Sequence, residues 1–135
     1  MSLIVGNYVH EKNENLEEFY KAAGIPFIPR KMMLASHPSM QITVNEEGEW
    51  SITTVTLVRT HITKFKLGEE YEETMPGNVQ IKNVTTKEEN KLVTISTGPD
   101  GSRSLRIYEF SDTGAVITLR HEPTGVEGRR YFKRV

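Results

Sequence analysis

The chain contains no cysteine among its 135 residues. That excludes a disulfide frame and a thiol nucleophile, and on this ground alone the redox compartment stays open. An excess of one charge sign is missing too. With 17 basic and 18 acidic residues the net charge is −1, so no global field draws the chain to nucleic acid. No apolar run approaches membrane-spanning length. The segment Met1-Ser2-Leu3-Ile4-Val5-Gly6 turns polar too early for a signal peptide, and a cytoplasmic location is the expectation. Hydrophobic residues make up 36% of the chain, low for a domain of this size. A barrel with a partly polar, hydrated interior accounts for that, and an unusually polar exterior does so equally well.

Signals for chemistry are also scarce. Asp100 and Asp112 are the only aspartates, and both sit in turns suited to them. The serines lack a nucleophile-elbow context. His10, His37, His61 and His121 are scattered without metal-ligand spacing and read as surface histidines. Gly98-Pro99-Asp100-Gly101 reads as a hairpin rather than a phosphate loop, because no helix follows it. Glutamates at 46–49, 69–73 and 88–89 fit turns and strand edges, where they aid solubility and protect edges. No catalytic residue, metal site or cofactor is expected.

What the chain does have is closely spaced strands. Residues 41–45, 50–58, 60–67, 79–86, 91–97, 103–110, 115–121 and 126–134 are rich in Val, Ile, Thr, Phe or Tyr with partial alternation. Glycine-, proline- and asparagine-containing turns separate them. Spacing of about 8–12 residues marks a sandwich or barrel rather than crossover units. An antiparallel meander can remove its open edges by closing on itself. The length suits a single domain spanning 1–135.

Helical signals are confined to residues 16–36. Asn15 can cap a helix whose first turn holds Glu17 and Glu18, where the dipole favours acids. Leu16, Phe19, Tyr20 and Ala23 recur at helical spacing until Gly24 stops the run. A second helix covers roughly Ile28 to Ser36, with Pro29 in its first turn and Pro38 just past its end. A helix pair inserted between the first two strands of a barrel suits a lid over an open end.

These residues resemble the intracellular lipid-binding proteins, the fatty-acid- and retinoid-binding family, with an invertebrate flavour. Gly6-Asn7-Tyr8 and Asn15-Leu16-Glu17-Glu18-Phe19 are similar to its N-terminal pattern. Gly24-Ile25-Pro26-Phe27, Arg30-Lys31-Met32 and Pro38 are similar to its helix-turn-helix and exit. The run from Phe65 to Glu73 looks like its central Phe-x-Leu-Gly stretch. The resemblance covers the whole chain. It implies a mainly β, calycin-like fold: a ten-stranded antiparallel up-and-down β-barrel with a helix-turn-helix lid.

The resemblance also implies a carboxylate site on the last strand, where many members carry Arg-x-Tyr. Here the preferred match is Arg130-x-Phe132; a one-residue shift gives Arg129-x-Tyr131 and turns the other face inward. The first is favoured because the second buries Glu127 and Lys133, which is costly. The upstream arginine position falls on Tyr108, with Arg106 one rung away on the same face, so both are candidate partners of Arg130. No acid is evident on the inward rungs, and an unpaired inward arginine calls for an anionic ligand, water or a partner. Apolar contacts are expected from Phe19, Tyr20, Met33, Val58, Ile117, Leu119 and Phe132, and polar contacts from Thr56 and Tyr108.

The implied function is non-catalytic intracellular transport of a long-chain fatty acid or related hydrophobic carboxylate by a monomer. The same fold binding a retinoid, bile acid or sterol is the alternative. A barrel that binds protein or oligonucleotide on its surface is a third reading, disfavoured by the dispersed acids. Lys21, Arg30 and Lys31 match basic lid positions tied in some members to nuclear entry; transient contact with anionic membranes is the preferred role here.

Overall fold

The structure, a computed structural model, describes residues 3–75 and 78–135. Its elements run β1 (Gly6–Glu14), α1 (Leu16–Ala22), α2 (Phe27–Ala35), β2 (Ser39–Val44), β3 (Glu49–Val55), β4 (Thr60–Lys66), β5 (Tyr71–Met75), β6 (Val79–Glu88), β7 (Lys91–Thr97), β8 (Arg103–Phe110), β9 (Gly114–His121) and β10 (Glu127–Arg134). All ten strands join one antiparallel sheet in the order β4-β3-β2-β1-β10-β9-β8-β7-β6-β5. Pairing of β1 with β10 makes the meander a nearly closed barrel with one seam, between β4 and β5. Among the described residues no helix is long and apolar enough to cross a membrane.

Two ends follow from this order. The β2–β3, β4–β5, β6–β7 and β8–β9 turns lie at one end; the helix pair and the remaining turns lie at the other. The first end is filled by Tyr8, Met40, Ile42, Trp50, Phe65, Leu92 and Phe110, which form one buried cluster with Tyr108, Ile117 and Phe132. Burying each such side chain is worth about 1.5–3 kcal/mol. At the second end Leu16, Phe19 and Tyr20 form a separate buried cluster against Ile25, Met33, Leu34, Leu119 and Val126. This is what seats the lid.

Local chemistry explains the seating. Asn15 precedes α1 with a left-handed φ of 52° and makes no side-chain cap. The capping expectation is thus corrected: its amide donates instead to the Glu127 carbonyl at 2.7 Å, tying the helix start to β10. Opposite, a Cβ added at Gly128 would stand 2.9 Å from both the Asn15 carbonyl oxygen and the Leu16 Cα. Only glycine permits that approach. By contrast α2 has no buried residue, and Phe27, Ile28 and Met32 are exposed.

Two differences from the expected strands matter. The strand read over 50–58 ends at Val55, because Thr56 Oγ1 turns the chain through a 3.2 Å bond to the Arg59 carbonyl. A strand absent from the expectation, β5, occupies the acid-rich run ending in Tyr71–Met75.

Candidate functional site

Alternation fixes which side chains face the interior. On β10, Gly128 and Phe132 are buried and Arg130 is half-buried between them, while Arg129 pairs with Glu14 at 3.2 Å on the outside. Arg130 lies opposite Ile117, which lies opposite Tyr108; one rung away Arg106 lies opposite Leu119, which lies opposite Gly128. Arg130, Arg106, Tyr108, Ile117 and Leu119 therefore share one inner wall of three strands.

The two arginines have different company. Arg130 Nε donates to Asn13 Oδ1 at 3.0 Å, and its Nη2 donates to the Ser36 carbonyl and hydroxyl at 3.2 and 3.4 Å. The Tyr20 phenol also faces this guanidinium. Every partner is neutral. Burial lowers the Arg130 pKa from its ordinary value, with Tyr20 opposing. Asn13 Oδ1 further accepts from His10 Nε2 at 2.7 Å, and His10 Nδ1 meets His37 Nδ1 at 3.1 Å. Burial lowers the His10 pKa, and the Arg130 charge acts in the same direction.

Arg106, in contrast, is paired. Its Nη2 donates to Glu73 Oε1 at 2.9 Å, and the same oxygen accepts from Asn83 Nδ2 at 2.8 Å. Glu73 Oε2 meets His61 Nε2 at 3.1 Å. Burial pushes the Glu73 carboxyl upward, but the Arg106 guanidinium and the three hydrogen bonds hold it well below the usual carboxylate range. Burial of Arg106 is likewise outweighed by Tyr108 and Glu73, so it stays charged. Burial pushes the Tyr108 phenol up to about 12 in spite of the adjacent Arg106. Ser96, Thr85, Thr94 and Tyr71 extend the polar belt through bonds of 2.6–2.7 Å. Although Arg106 sits mid-strand on the inner wall, 18% of its side chain remains accessible.

Three expectations are corrected by this network. An acid does stand on the inward rungs: Glu73, whose side chain is 6% exposed, rather than guarding an edge. His61 and His121 are not surface residues; His61 faces the interior and His121 is buried with Nδ1 2.9 Å from Thr124 Oγ1. Thr56 and Val58 do not line the wall, since both sit in the β3–β4 turn with Val58 77% exposed. The inner face of β3 is made by Trp50, Ile52 and Thr54 instead. Phe19 and Tyr20 are buried in the lid cluster with Met33 packed on it, and Leu119 touches both clusters. Phe132 is buried, edge-on to His10 at 5.5 Å.

The seam lacks a backbone ladder but is bridged by side chains. His61 reaches Glu73 across it, and Phe65 stacks on Tyr71 with centroids 5.1 Å apart at 15°. An entry portal framed by Met33, Leu34, Val58 and Pro76-Gly77 is what the family resemblance implies; Pro76-Gly77 lies outside the described residues.

Comparison with known proteins places this geometry. The family model described as lipocalin / cytosolic fatty-acid binding protein family matches residues 5–116. A fatty acid-binding protein of Tyrophagus putrescentiae is 34% identical over 130 residues, covering 96% of this chain and 95% of the relative. A solved structure named REP1-NXSQ fatty acid transporter superposes with a TM-score of 0.86 at 28% identity, over 97% of this chain and 95% of its own. The Schistosoma mansoni fatty acid binding protein in complex with arachidonic acid reaches 0.91 at 20% identity, over 100% of this chain and 98% of its own, a likeness of fold.

Proposed function

Because the chain belongs to the lipocalin / cytosolic fatty-acid binding protein family, we propose that it is a non-catalytic cytoplasmic carrier of one long-chain fatty acid. The acyl chain lies inside the barrel and the carboxylate rests on Arg130. The observation that supports this reading most is the contrast between the two inward arginines. Arg106 has its carboxylate in Glu73. Arg130, among the described residues, has only neutral partners in Asn13, Ser36 and Tyr20.

With Arg106 and Glu73 cancelling, the inner wall presents one uncompensated positive charge, which suits one monoanionic head group. A guanidinium binds a carboxylate through two parallel donors. Phe132 brings no hydroxyl to this site; the phenol facing Arg130 comes from Tyr20. Ile117, Leu119, Met40 and Ile52 offer apolar wall to the chain. At about 0.8 kcal/mol per buried methylene, a long acyl chain reaches micromolar affinity without the ion pair. Arg130 then sets head-group class and orientation more than bulk affinity.

Native mass spectrometry of protein purified from its own host tests the reading. A co-purifying mass that resolves to a long-chain fatty acid on release supports it. A retinoid, bile acid or sterol mass, or an empty barrel after gentle handling, contradicts it.

A further inference from the structure

The Glu73 carboxylate sits in a complete anion site. Its three donors come from three strands: His61 on β4, Asn83 on β6 and Arg106 on β8. Both oxygens are engaged, and the side chain is 6% exposed. This is how a ligand carboxylate would be held, yet the occupant is the protein's own residue on β5. The second arginine is near. Arg106 pairs with Leu119, Leu119 with Gly128, and Gly128 is two residues from Arg130. Tyr20 feels the charge of both guanidinia.

We propose that Glu73 is a specificity-determining residue: a resident carboxylate that occupies Arg106 and limits the barrel to monoanionic lipids. This rests on the fatty-acid reading above and adds what sets its charge selectivity. Were Arg106 free, two neighbouring cations would face the interior and a dianionic head group could be matched. With Glu73 in place and cancelling Arg106, a dianion entering the site carries one unmatched charge into a low-dielectric wall. Glu73 thereby rejects dianionic amphiphiles while costing a monoanion nothing, because Arg130 is untouched.

The test compares palmitate with hexadecyl phosphate at about pH 8, where the phosphate monoester is dianionic. In the wild type palmitate binds the tighter by about tenfold or more, one charge-assisted contact's worth. Glu73→Gln narrows that gap by about tenfold, and the double change Glu73→Gln/Arg106→Gln restores it. A gap unmoved by Glu73→Gln overturns the proposal. A second measurement needs no variant: the carboxyl carbon resonance of Glu73, followed by NMR in the wild type, keeps its ionised shift when palmitate binds. A palmitate-induced change to the protonated or displaced form overturns the proposal, because the ligand would then be taking Arg106. Palmitate binding that depends on Arg130 upholds the carrier reading whatever Glu73 does, so the two can fail separately.

Discussion

At the residue scale, the buried pair dominates. Removing one partner of such a pair leaves an uncompensated charge and costs about 3–5 kcal/mol. Glu73→Ala should therefore lower the urea midpoint strongly, whereas Glu127→Ala, whose partners Arg120 and Arg129 are half-exposed, should change it little. The pair also sets a pH window. Because the folded Glu73 pKa lies below its ordinary 4.5, its stabilisation is complete above that value and is lost as pH falls toward the folded one. His10 acts in the same sense: its folded pKa is below 6.5, so stability begins to fall as pH drops through that value. Urea midpoints should be flat between about pH 7 and pH 9 and decline in acid in two stages. The steeper, more acidic stage should vanish in Glu73→Gln; an unchanged acid limb in that variant would refute the assignment.

At the element scale, the lid is uneven. α1 is fastened by its buried trio and by the Gly128 contact, while α2 has no fully buried residue and packs only through the partly buried Met33 and Leu34. Short helices are marginal without packing. Hydrogen exchange should be fastest in α2, slower in α1 and slowest in β9 and β10. Adding lipid should protect residues 25–36 and 55–60 more than β10, and uniform protection of all strands would argue against a localised entrance. Gly128→Val should force α1 away from β10, costing about 1–3 kcal/mol by overpacking. Thermal melts and lid exchange rates read both effects.

The same elements show what could be read from residues alone. Eight strands and both helices announced themselves because one face is apolar or the ends are punctuated. β1 did not, since its Gly6–Glu14 run is mostly polar and exposed, with a bulge between His10 and Lys12. β5 did not, because five residues within an acidic run carry too little β-character. Its parity held the clue, as Tyr71, Glu73 and Met75 alternate with Glu72 and Thr74. Reading Tyr71 as inward turns Glu73 to the interior as well, the face that Arg106 shares. Asn15 had a cap's identity but not its backbone conformation, and tertiary contact with Glu127 claimed its side chain.

At the scale of the whole molecule, the lid's charge is less one-sided than Lys21, Arg30 and Lys31 suggest. Lys31 pairs with Glu17 at 2.8 Å and Lys21 with Glu18 at 3.8 Å. Neutralising the three should slow lipid transfer to anionic vesicles, with the effect fading at high salt. Equilibrium lipid affinity should not change. Removing Glu17 and Glu18 together should speed the same transfer. Rates indifferent to both charge and salt would assign the trio to ordinary surface and carriage to diffusion of free ligand.

Isothermal titration of palmitate and methyl palmitate into wild type, Arg130→Gln and Arg129→Gln tests the central claim most directly. Arg130 facing a carboxylate predicts that Arg130→Gln weakens palmitate by about 1–3 kcal/mol, leaves the ester nearly unaffected, and that Arg129→Gln matches the wild type for both. Equal losses for acid and ester in Arg130→Gln, or sensitivity at Arg129 in its place, would contradict it.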